Sequence, residues 1–260
     1  MQERHKNRKQ YFDEQAYTTE KYVIPYIQKQ YEITSASRIL EIGCGEGGNL
    51  KPFLDRACSC VGIDLNEKQI ENAKEFFKDH INVSKLELIF EDIYNVKRDF
   101  QFDVIMLRDV IEHIHNQEKF MKFLTRFLSD NGIVFFAFPP WQNPFGGHQQ
   151  ICEGKLSKIP FLHLLPTSCY SSLLSKCGEN KETIQELLEI KETGITIERF
   201  EKILKENYVI KKRDLFFINP NYEIKFNLKP RKVFSILQNI PYFRNYYTTV
   251  AYYLVMKKEL

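Results

Sequence analysis

The chain has 260 residues, of which 43% are hydrophobic, so it is long enough for one well-buried domain with an elaboration and too short for two large ones. Its formal net charge of +3 and its pI near 8.4 are mild. Dense basic clusters occur only at 4–9, 211–213 and 229–232, and none forms a long stripe with interleaved aromatic residues. These clusters fit solvated faces better than a nucleic-acid footprint, so a nucleic-acid partner is not expected.

Cysteine usage and the N-terminus indicate the compartment. The six cysteines include no Cys-x-x-Cys pair, and the polar, charged N-terminus resembles neither a secretory nor a transit signal. Free thiols are typical of a reducing compartment, so we expect a cytoplasmic protein. No apolar run approaches the ~20 residues that span a bilayer, and no membrane span is expected. Oligomeric state and pathway are not indicated.

Aromatic residues at partly helical spacing mark the N-terminal segment, residues 1–36. We predict one or two helices here that cap the core, bent or divided at Pro25. The tyrosines of this segment form either a packing face with hydroxyls reaching water, which is the simpler interpretation, or the mouth of a ligand site.

From residue 38 onward, short apolar runs alternate with helical spacing, the pattern of a parallel sheet covered on both faces. Strands are predicted at 38–42, 60–64, 86–90, 103–107 and 133–138. The last of these is apolar throughout and is expected to be central. Helices are predicted at 48–56, from an Asn66 cap to residue 79, and from an Asn116 cap through Leu128 to a stop at Gly132.

The alternation is lost after Pro140. Structureless loops as long as 141–195 are uncommon inside compact domains, so we predict a partly helical insertion there, with a helix at 181–191. This insertion is either a lid over a site or a second small core on the sheet edge.

The C-terminal part predicts a helix at 197–206 behind a Thr196 cap. Strand-like runs follow at 208–218 and 246–256, separated by a short helix at 232–238. They indicate an antiparallel pair added to the sheet. The predicted fold is therefore a single α/β domain, 1–260: a doubly wound, mostly parallel seven-stranded sheet with a C-terminal antiparallel strand pair, N-terminal helices and a lid-like insertion.

A glycine-dense loop follows the first strand. Gly43, Gly45 and Gly47 allow a ligand to lie against the main chain, and the next helix offers free amide donors. The spacing of Gly43, Gly45 and Gly48 also satisfies the dinucleotide fingerprint, which by itself is a weak signal. The loop alone therefore predicts a nucleoside ligand without naming it.

The order of several further motifs resembles the class I S-adenosylmethionine-dependent methyltransferases. These motifs are Glu41-Ile42-Gly43-Cys44-Gly45-Glu46-Gly47, Asp64 closing the second strand, Asp92-Ile93 after the third, Glu112-His113 after the fourth, and the terminal strand pair. The resemblance covers most of the chain from Tyr11 and is weakest in the insertion. A nicotinamide dehydrogenase shares the glycines and the acid ~20 residues on, but is not expected to carry Glu41 or a terminal hairpin.

The resemblance implies S-adenosylmethionine as the cofactor. Glu41 would hold its methionine amino group, and the glycine loop would lie beneath the sugar and the amino-acid moiety. Asp64 would accept both ribose hydroxyls, and Asp92 would take the adenine amine, with Ile93 and Leu65 on the two faces of the ring. The predicted cofactor-binding residues are Glu41, Gly43, Cys44, Gly45, Gly47, Asp64, Leu65, Asp92 and Ile93.

On the acceptor side, Asp109, Glu112 and His113 follow the fourth strand, where open sheets of this type bind ligands. A helical turn beginning at Asp109 would put the three on one face. His148 follows the fifth strand in a loop that two glycines turn back toward the site. If the methyl acceptor is a hydroxyl or phenol, a base is needed, and we predict Glu112, His113 and His148 as catalytic residues.

Asp109, Glu112, His113 and His148 also form a plausible ligand set for Mg²⁺ or Mn²⁺. The set resembles that of quinone-biosynthesis O-methyltransferases and of small-RNA 3′-terminal 2′-O-methyltransferases, although Asp109 stands where a glutamate is usual. Three interpretations stay open: a metal site, a metal-free site with a histidine as the base, and a purely structural role for these residues. His115 is expected at the surface.

The predicted function is methyl transfer to a small-molecule acceptor, foremost at oxygen. A metal-assisted RNA 2′-O-methyltransferase and a catalytically silent S-adenosylmethionine-binding module are the alternatives. A dehydrogenase is the third rival.

Overall fold

A computed structural model describes residues 7–97 and 101–258. Its strands are β1 (Arg38–Ile42), β2 (Ser59–Asp64), β3 (Leu86–Phe90), β4 (Phe102–Arg108), β5 (Leu128–Phe138), β6 (Tyr208–Ile218), β7 (Arg231–Lys232) and β8 (Val250–Lys257). Its α-helices are α1 (Arg8–Thr18), α2 (Ile24–Ile27), α3 (Lys51–Asp55), α4 (Glu67–Phe77), α5 (Gln117–Leu124), α6 (Thr167–Lys176), α7 (Lys181–Thr193), α8 (Ile197–Asn207), α9 (Asn221–Phe226), α10 (Ser235–Gln238) and α11 (Arg244–Tyr247).

The strands form one sheet in the order β3-β2-β1-β4-β5-β8-β6-β7. The first five are parallel to their neighbours, β8 is antiparallel to β5, and β6 is antiparallel to β8. Because two reversals restore the direction, β6 ends at the same edge of the sheet as β1, β2, β4 and β5. This edge holds the loops that carry the predicted site residues.

Both faces of the sheet are covered by apolar packing, as expected for a mostly parallel sheet whose strands alternate with helices along the chain. Along β5, Phe136 and Phe138 face the helices α5 and α8, whereas Phe135 faces the N-terminal helices; all three are fully buried. Burying each such side chain stabilises the fold by ~1.5–3 kcal/mol. The expectation that this strand is central is confirmed, because β5 pairs with both β4 and β8.

The sheet has eight strands in the described residues, so the prediction of seven is wrong. The additional strand is β7, whose two residues pair with Phe216 and Ile218 of β6. A strand of two residues has no measurable alternation, and the sequence instead predicted a helix over 232–238. The observed helix, α10, is confined to Ser235–Gln238.

The predicted helix through Leu128 with a stop at Gly132 is also wrong. Helix α5 ends at Leu124, and β5 already begins at Leu128, which pairs with Phe102. Pairing resumes at Ile133 after an irregularity that includes Gly132. Tertiary pairing with β4 thus overrides the helical spacing of these residues. The last strand, predicted to begin at residue 246, begins at Val250 instead, because residues 244–247 form helix α11.

The N-terminal segment and the insertion both contain helices. A π-helical turn, Thr19–Val23, joins α1 to α2 in one continuous helical run, and Pro25 stands in the first turn of α2, so the chain is not divided at Pro25. The insertion contains α7 as predicted and α6, which was not predicted. Its small apolar cluster is built on Tyr170 and Leu187. Among the described residues, no helix is both long and apolar enough to cross a bilayer.

Candidate active site

The glycine loop turns sharply between β1 and α3. Gly43 has φ +68°, and a Cβ there would lie 2.5 Å from Cγ2 of Val110, so only glycine fits both the backbone angle and the close approach. The loop is fastened to the end of β2, because the amides of Gly43 and Cys44 donate to the Ile63 carbonyl at 2.8 and 3.1 Å. The Gly45 amide donates to Asp64 Oδ2 at 2.7 Å.

A cavity of about 370 Å³ opens beside this loop at the carboxyl edge of the sheet. Six of the predicted site residues line it, namely Gly43, Asp64, Leu65, Asp92, Ile93 and His113. The other lining residues are Ile42, Ile63, Glu91, Tyr94, Val110, Ile114, His115 and Phe120. The lining is largely apolar, with carboxylates on one side, which suits a flat ring attached to a polyol. His115 is exposed, as expected, and stands at the rim of this cavity.

Backbone amides fix Asp64 and Asp92, two of the three acids that line the cavity. Asp64 accepts a further hydrogen bond from the Asn66 amide at 2.8 Å, and Asp92 Oδ1 accepts one from the Tyr94 amide at 2.9 Å. Each carboxylate oxygen has a second lone pair. Asp64 and Asp92 can therefore accept additional hydrogen bonds from a ligand at fixed positions.

Glu41, Cys44, Gly45 and Gly47 are not among the cavity-lining residues. Cys44 is buried, and its Sγ would meet a Cβ at Gly62, so its side chain belongs to the core. Burial raises the pKa of this thiol well above its usual value. Gly47 packs against Phe77. These positions shape the loop, and Cys44 contributes its backbone rather than its thiol.

Glu41 lies behind the loop in a polar network that sequence reasoning missed. Its Oε1 accepts a hydrogen bond from Asn49 Nδ2 at 2.6 Å, while Oε2 is buried with no hydrogen-bond partner in the described structure. Arg108 donates to Asn49 and, at 3.0 Å, to Thr19. Burial raises the pKa of Glu41 to about 8, against the opposing effects of the Asn49 hydrogen bond and the Arg108 charge. A buried carboxylate with one unused oxygen is suited to a cationic ligand group.

Helix α1 closes the other side of the glycine loop. The guanidinium of Arg8 donates two hydrogen bonds to Glu46, which is fully buried at the tip of the loop. A Cβ at Gly48 would lie 2.5 Å from the Phe12 carbonyl oxygen. Burial, followed by the charge of Asp109, raises the pKa of Tyr11 to about 12. The N-terminal segment therefore contacts the site directly as well as packing on the core.

An acid and two imidazoles converge next to the cavity. One ligand-type atom from each of Glu112, His113 and His148 lies within 4.8 Å of those of the other two. Glu112 Oε1 is 3.9 Å from His148 Nε2, and the centroids of the two imidazole rings are 4.9 Å apart. Glu112 is 2% exposed, and neither of its carboxylate oxygens has a hydrogen-bond partner among residues 7–97 and 101–258.

The environment disfavours the charged form of each member of this cluster. Burial, reinforced by the charge of Asp109, raises the pKa of Glu112 well above its usual value. Desolvation lowers the pKa of His113, although its side chain is partly open to solvent, and burial lowers that of His148 to about 3, with the charges of His113 and His163 adding to the effect. Both imidazoles are therefore unprotonated and keep a free nitrogen lone pair for a metal ion; they accept a proton where a neighbouring carboxylate stabilises the imidazolium.

Asp109 does not join this cluster, and the predicted helical turn starting there is wrong. Its backbone is left-handed, with φ +54°, and its amide donates to the Ala137 carbonyl at 2.8 Å. The next turn is a 3₁₀ turn, Ile111–His113. Aspartate tolerates the left-handed region, and the bond to β5 holds it there. Its carboxylate thus stays outside the 4.8 Å group.

The later part of the insertion, residues 161–193, supports the loop near its start that carries His148. His148 is left-handed, with φ +55°, and a Cβ at the preceding Gly147 would lie 2.1 Å from Cβ of His163. His163 is fully buried; its Nε2 lies 2.7 Å from the Trp141 carbonyl oxygen. Thr193 of α7 donates to the Glu112 carbonyl at 2.6 Å. The insertion therefore positions both Glu112 and His148.

Comparison with known proteins is consistent with this geometry. The family described as "Methyltransferase domain" matches residues 12–151. The "Ubiquinone biosynthesis O-methyltransferase" of Pelagibacter ubique (strain HTCC1062) is 32% identical over 123 residues, which are 45% of this chain and 50% of that protein. The protein of the same name from Rickettsia canadensis (strain McKiel) is 29% identical over 116 residues, 45% of this chain and 48% of that protein. The chain spans about half the length of these curated relatives.

A solved structure extends the likeness to nearly the whole chain. The plantazolicin methyltransferase BpumL, in complex with a triazolic desmethylPZN analog and SAH, covers 99% of this chain and 89% of its own at a TM-score of 0.57 and 18% identity. At this identity the likeness shows a common fold.

Proposed function

This chain belongs to the S-adenosylmethionine-dependent methyltransferases, and we propose that it transfers a methyl group to an oxygen atom of a small-molecule acceptor. The observation that carries the proposal is that His113 belongs to two parts of the site. This residue lines the cavity beside the glycine loop and is also a member of the Glu112–His113–His148 cluster. A proton acceptor thus stands beside the predicted site of the methyl donor.

The residues of the site fit S-adenosylmethionine. Asp64 and Asp92 would accept the ribose hydroxyls and the adenine amine, and Ile93 and Leu65 offer apolar surface in the same cavity. The unused oxygen of Glu41 would take the ammonium group. When bound, the cofactor supplies an electrophilic methyl group on a sulfonium.

For an oxygen acceptor, the chain's own residues must align the nucleophile and remove its proton. Alignment contributes most in an in-line displacement, and a neutral imidazole of His148 or His113 accepts the proton as the new bond forms. Glu112, 3.9 Å from His148 Nε2, would stabilise the resulting imidazolium. The name of the relatives, O-methyltransferase, supports oxygen as the acceptor atom.

We assign the insertion, 141–195, as the lid of the acceptor site. The Phe161 amide donates to the Pro144 carbonyl at 2.7 Å, and His163 packs against the Gly147 backbone. Both contacts lie within the insertion and hold its part around 161–163 against the loop that carries His148. A lid in this position would exclude water from the transfer.

Isothermal titration with S-adenosylhomocysteine, followed by turnover assays, tests the proposal. We expect saturable binding of S-adenosylhomocysteine, no binding of NAD, and release of S-adenosylhomocysteine from S-adenosylmethionine with phenolic or catecholic acceptors. Asp64→Asn should weaken the binding by about tenfold or more, because it replaces a charged acceptor. Binding of NAD alone would instead indicate a dehydrogenase. Cofactor binding without turnover on any acceptor, in the native chain as in His113→Ala/His148→Ala, would indicate a silent module.

A second candidate is a metal-assisted version of the same reaction. The two unpartnered oxygens of Glu112, buried beside two neutral imidazoles, favour it, because this is a donor set that a divalent cation takes. Glu112, His113 and His148 would hold Mg²⁺ or Mn²⁺, and the ion would polarise the acceptor oxygen. An RNA 2′-hydroxyl should be tested as the acceptor of this metal-assisted reaction. Tight, salt-sensitive RNA binding would favour an RNA 2′-O-methyltransferase.

Calorimetric titration with Mn²⁺ decides for or against the metal. If the ion binds in this cluster, Glu112→Ala and His113→Ala should each weaken its affinity by at least about tenfold. His80→Gln is the control and should leave the affinity nearly unchanged, because His80 is bonded to Asp55 and is not a member of the cluster. Unchanged Mn²⁺ affinity in Glu112→Ala would dispose of the metal site.

A further inference from the structure

The connection between β6 and β8, residues 219–249, lies at the same edge of the sheet as the candidate active site. Strand β6 ends at this edge because it runs in the direction of β5, and antiparallel β8 starts there. Asn221 Oδ1 lies 2.8 Å from the hydroxyl of Thr18, so the connection packs against α1, the helix that closes one side of the glycine loop. The ring of Tyr246 is 6.3 Å from that of Phe161 in the insertion. The connection therefore borders the active-site cleft.

This part of the chain exposes an unusual amount of apolar surface. Of the 22 exposed large hydrophobic residues in the described structure, 11 lie within 217–247, a segment of 31 residues. Phe234 and Ile236 are each 78% exposed, and Tyr242 is 67% exposed. The 11 residues, which we call the apolar surface, are Phe217, Ile224, Phe226, Leu228, Phe234, Ile236, Ile240, Tyr242, Phe243, Tyr246 and Tyr247. Concentrated exposure of this kind usually marks an interaction site.

Internal contacts hold the C-terminal part of the apolar surface in shape. Arg244 is buried, and its guanidinium is ion-paired with Glu198 at 2.8 Å and with Glu201 at 3.0 Å. Its amide donates to the Ile240 carbonyl at 3.1 Å. The rings of Phe243 and Tyr247 are 5.0 Å apart. The exposed side chains are thus presented by an anchored segment.

The charge within the segment of the apolar surface is mainly positive. Residues 217–247 contain five Lys and Arg residues and one acid, Glu223, which is ion-paired with Lys21 at 2.9 Å. Arg244 is used internally, and Lys232 pairs with Asp214 at 2.9 Å. Lys229 and Arg231 are exposed. A partner of this surface must therefore combine apolar groups with negative charge.

We propose that the apolar surface docks on an anionic lipid bilayer, with Lys229 and Arg231 at the headgroups. Aliphatic side chains such as Leu228 and Ile236 suit acyl chains, whereas single-stranded nucleic acid is bound mainly by aromatic stacking. A second copy would bring equal positive charges together across a self-complementary interface. The apolar surface includes Tyr242, Tyr246 and Tyr247, and tyrosine is enriched at the membrane–water boundary. The active-site edge then faces the lipid surface.

Co-sedimentation with unilamellar vesicles tests the proposal. We expect the full chain to bind vesicles of phosphatidylcholine mixed with phosphatidylglycerol much more tightly than vesicles of phosphatidylcholine alone, and to lose this binding at high salt. Lys229→Gln/Arg231→Gln should lower partitioning about 25-fold, at ~1 kcal/mol for each charge. Phe234→Ser/Ile236→Ser should lower it at least about tenfold.

Matched controls lie elsewhere on the chain. Ile81 and Val83 are 92% and 41% exposed, and Ile81→Ser/Val83→Ser should leave partitioning unchanged, as should Lys68→Gln/Lys78→Gln for the charge. All four positions of the test variants are exposed, so thermal unfolding and circular dichroism should match those of the native chain.

Three results would overturn the proposal. The first is absence of sedimentation with anionic vesicles, or sedimentation that the control variants reduce as much as the test variants. The second is self-association in light scattering that Phe234→Ser/Ile236→Ser abolishes, without vesicle binding, which would assign the surface to a second copy. The third is RNA binding lost in Lys229→Gln/Arg231→Gln, again without vesicle binding. Lipid docking does not require methyl transfer, so the two proposals fail separately.

Discussion

Replacing His148 by asparagine should lower kcat/KM for an oxygen acceptor by ~10²–10⁴-fold, the contribution of a positioned general base. Asparagine keeps the left-handed backbone that His148 adopts at φ +55°, so the loop should retain its shape. The amide cannot take the acceptor's proton. The measurement is the rate of S-adenosylhomocysteine release with an acceptor found in the turnover assays.

The affinity for S-adenosylhomocysteine distinguishes the role of His148 from that of His113. His148 does not line the cavity beside the glycine loop, so His148→Asn should leave this affinity within about twofold. His113 lines the cavity, and His113→Ala should change both affinity and rate. His80→Gln is the histidine control, because His80 is bonded to Asp55 away from the site. Full activity in His148→Asn would exclude this residue as the base.

Replacing Glu41 by glutamine should weaken S-adenosylhomocysteine binding by ~10–100-fold at neutral to mildly alkaline pH. The change removes a charge-assisted hydrogen bond to the ligand's ammonium group, worth ~1.5–3 kcal/mol. The glutamine can still accept the hydrogen bond of Asn49, so the network should persist. 5′-Methylthioadenosine is the matched ligand control, because it lacks the amino-acid moiety. Its affinity should be nearly equal for the native chain and Glu41→Gln.

The same pair of ligands should differ in pH dependence. Glu41 has a pKa raised to about 8, so binding of the ammonium group must ionise it. The affinity for S-adenosylhomocysteine should therefore rise about tenfold or more from ~pH 6 to ~pH 7.5, and level off or fall above ~pH 8 as the ligand's α-amino group loses its proton. Calorimetry across this range should give a flat profile for 5′-methylthioadenosine and for Glu41→Gln. A flat profile for S-adenosylhomocysteine with the native chain would contradict this role of Glu41.

The raised pKa also affects the stability of the ligand-free protein. The folded-state pKa lies above the ordinary value of 4.5, so the neutral carboxyl favours the folded state below that value. This contribution is lost as the pH rises through about 8, because the unfolded chain releases its proton first. Glu41→Gln should consequently have a higher unfolding temperature than the native chain at about pH 8.

Signals carried by neighbouring residues could be interpreted from the sequence alone. Strands β1, β3 and β6 occur at their predicted bounds, because each is a local run of suitable residues between breakers. The glycine loop was also evident, since its backbone angles require glycine at Gly43. Asp64 and Asp92 were singled out because acids at the ends of the second and third strands match the order of motifs in the resembled family, and the ends of parallel strands meet at one edge.

Only the tertiary structure decided the interactions between distant residues. Arg108, Asn49 and Thr19 come from three separate segments, and no spacing links them to Glu41. Asp109 left the predicted ligand set because its amide bonds to Ala137 of another strand.

The sequence by itself therefore determined the order of the first five strands along the chain, the glycine loop and the family resemblance, because these depend on local patterns. The tertiary structure determined which acids are desolvated, as at Glu41 and Glu112, and which apolar residues stay exposed, as at Phe234 and Ile236. Burial and charge pairing are properties of packing between elements, and these packing contacts set the pKa values of the site and the chemistry of the surface beside it.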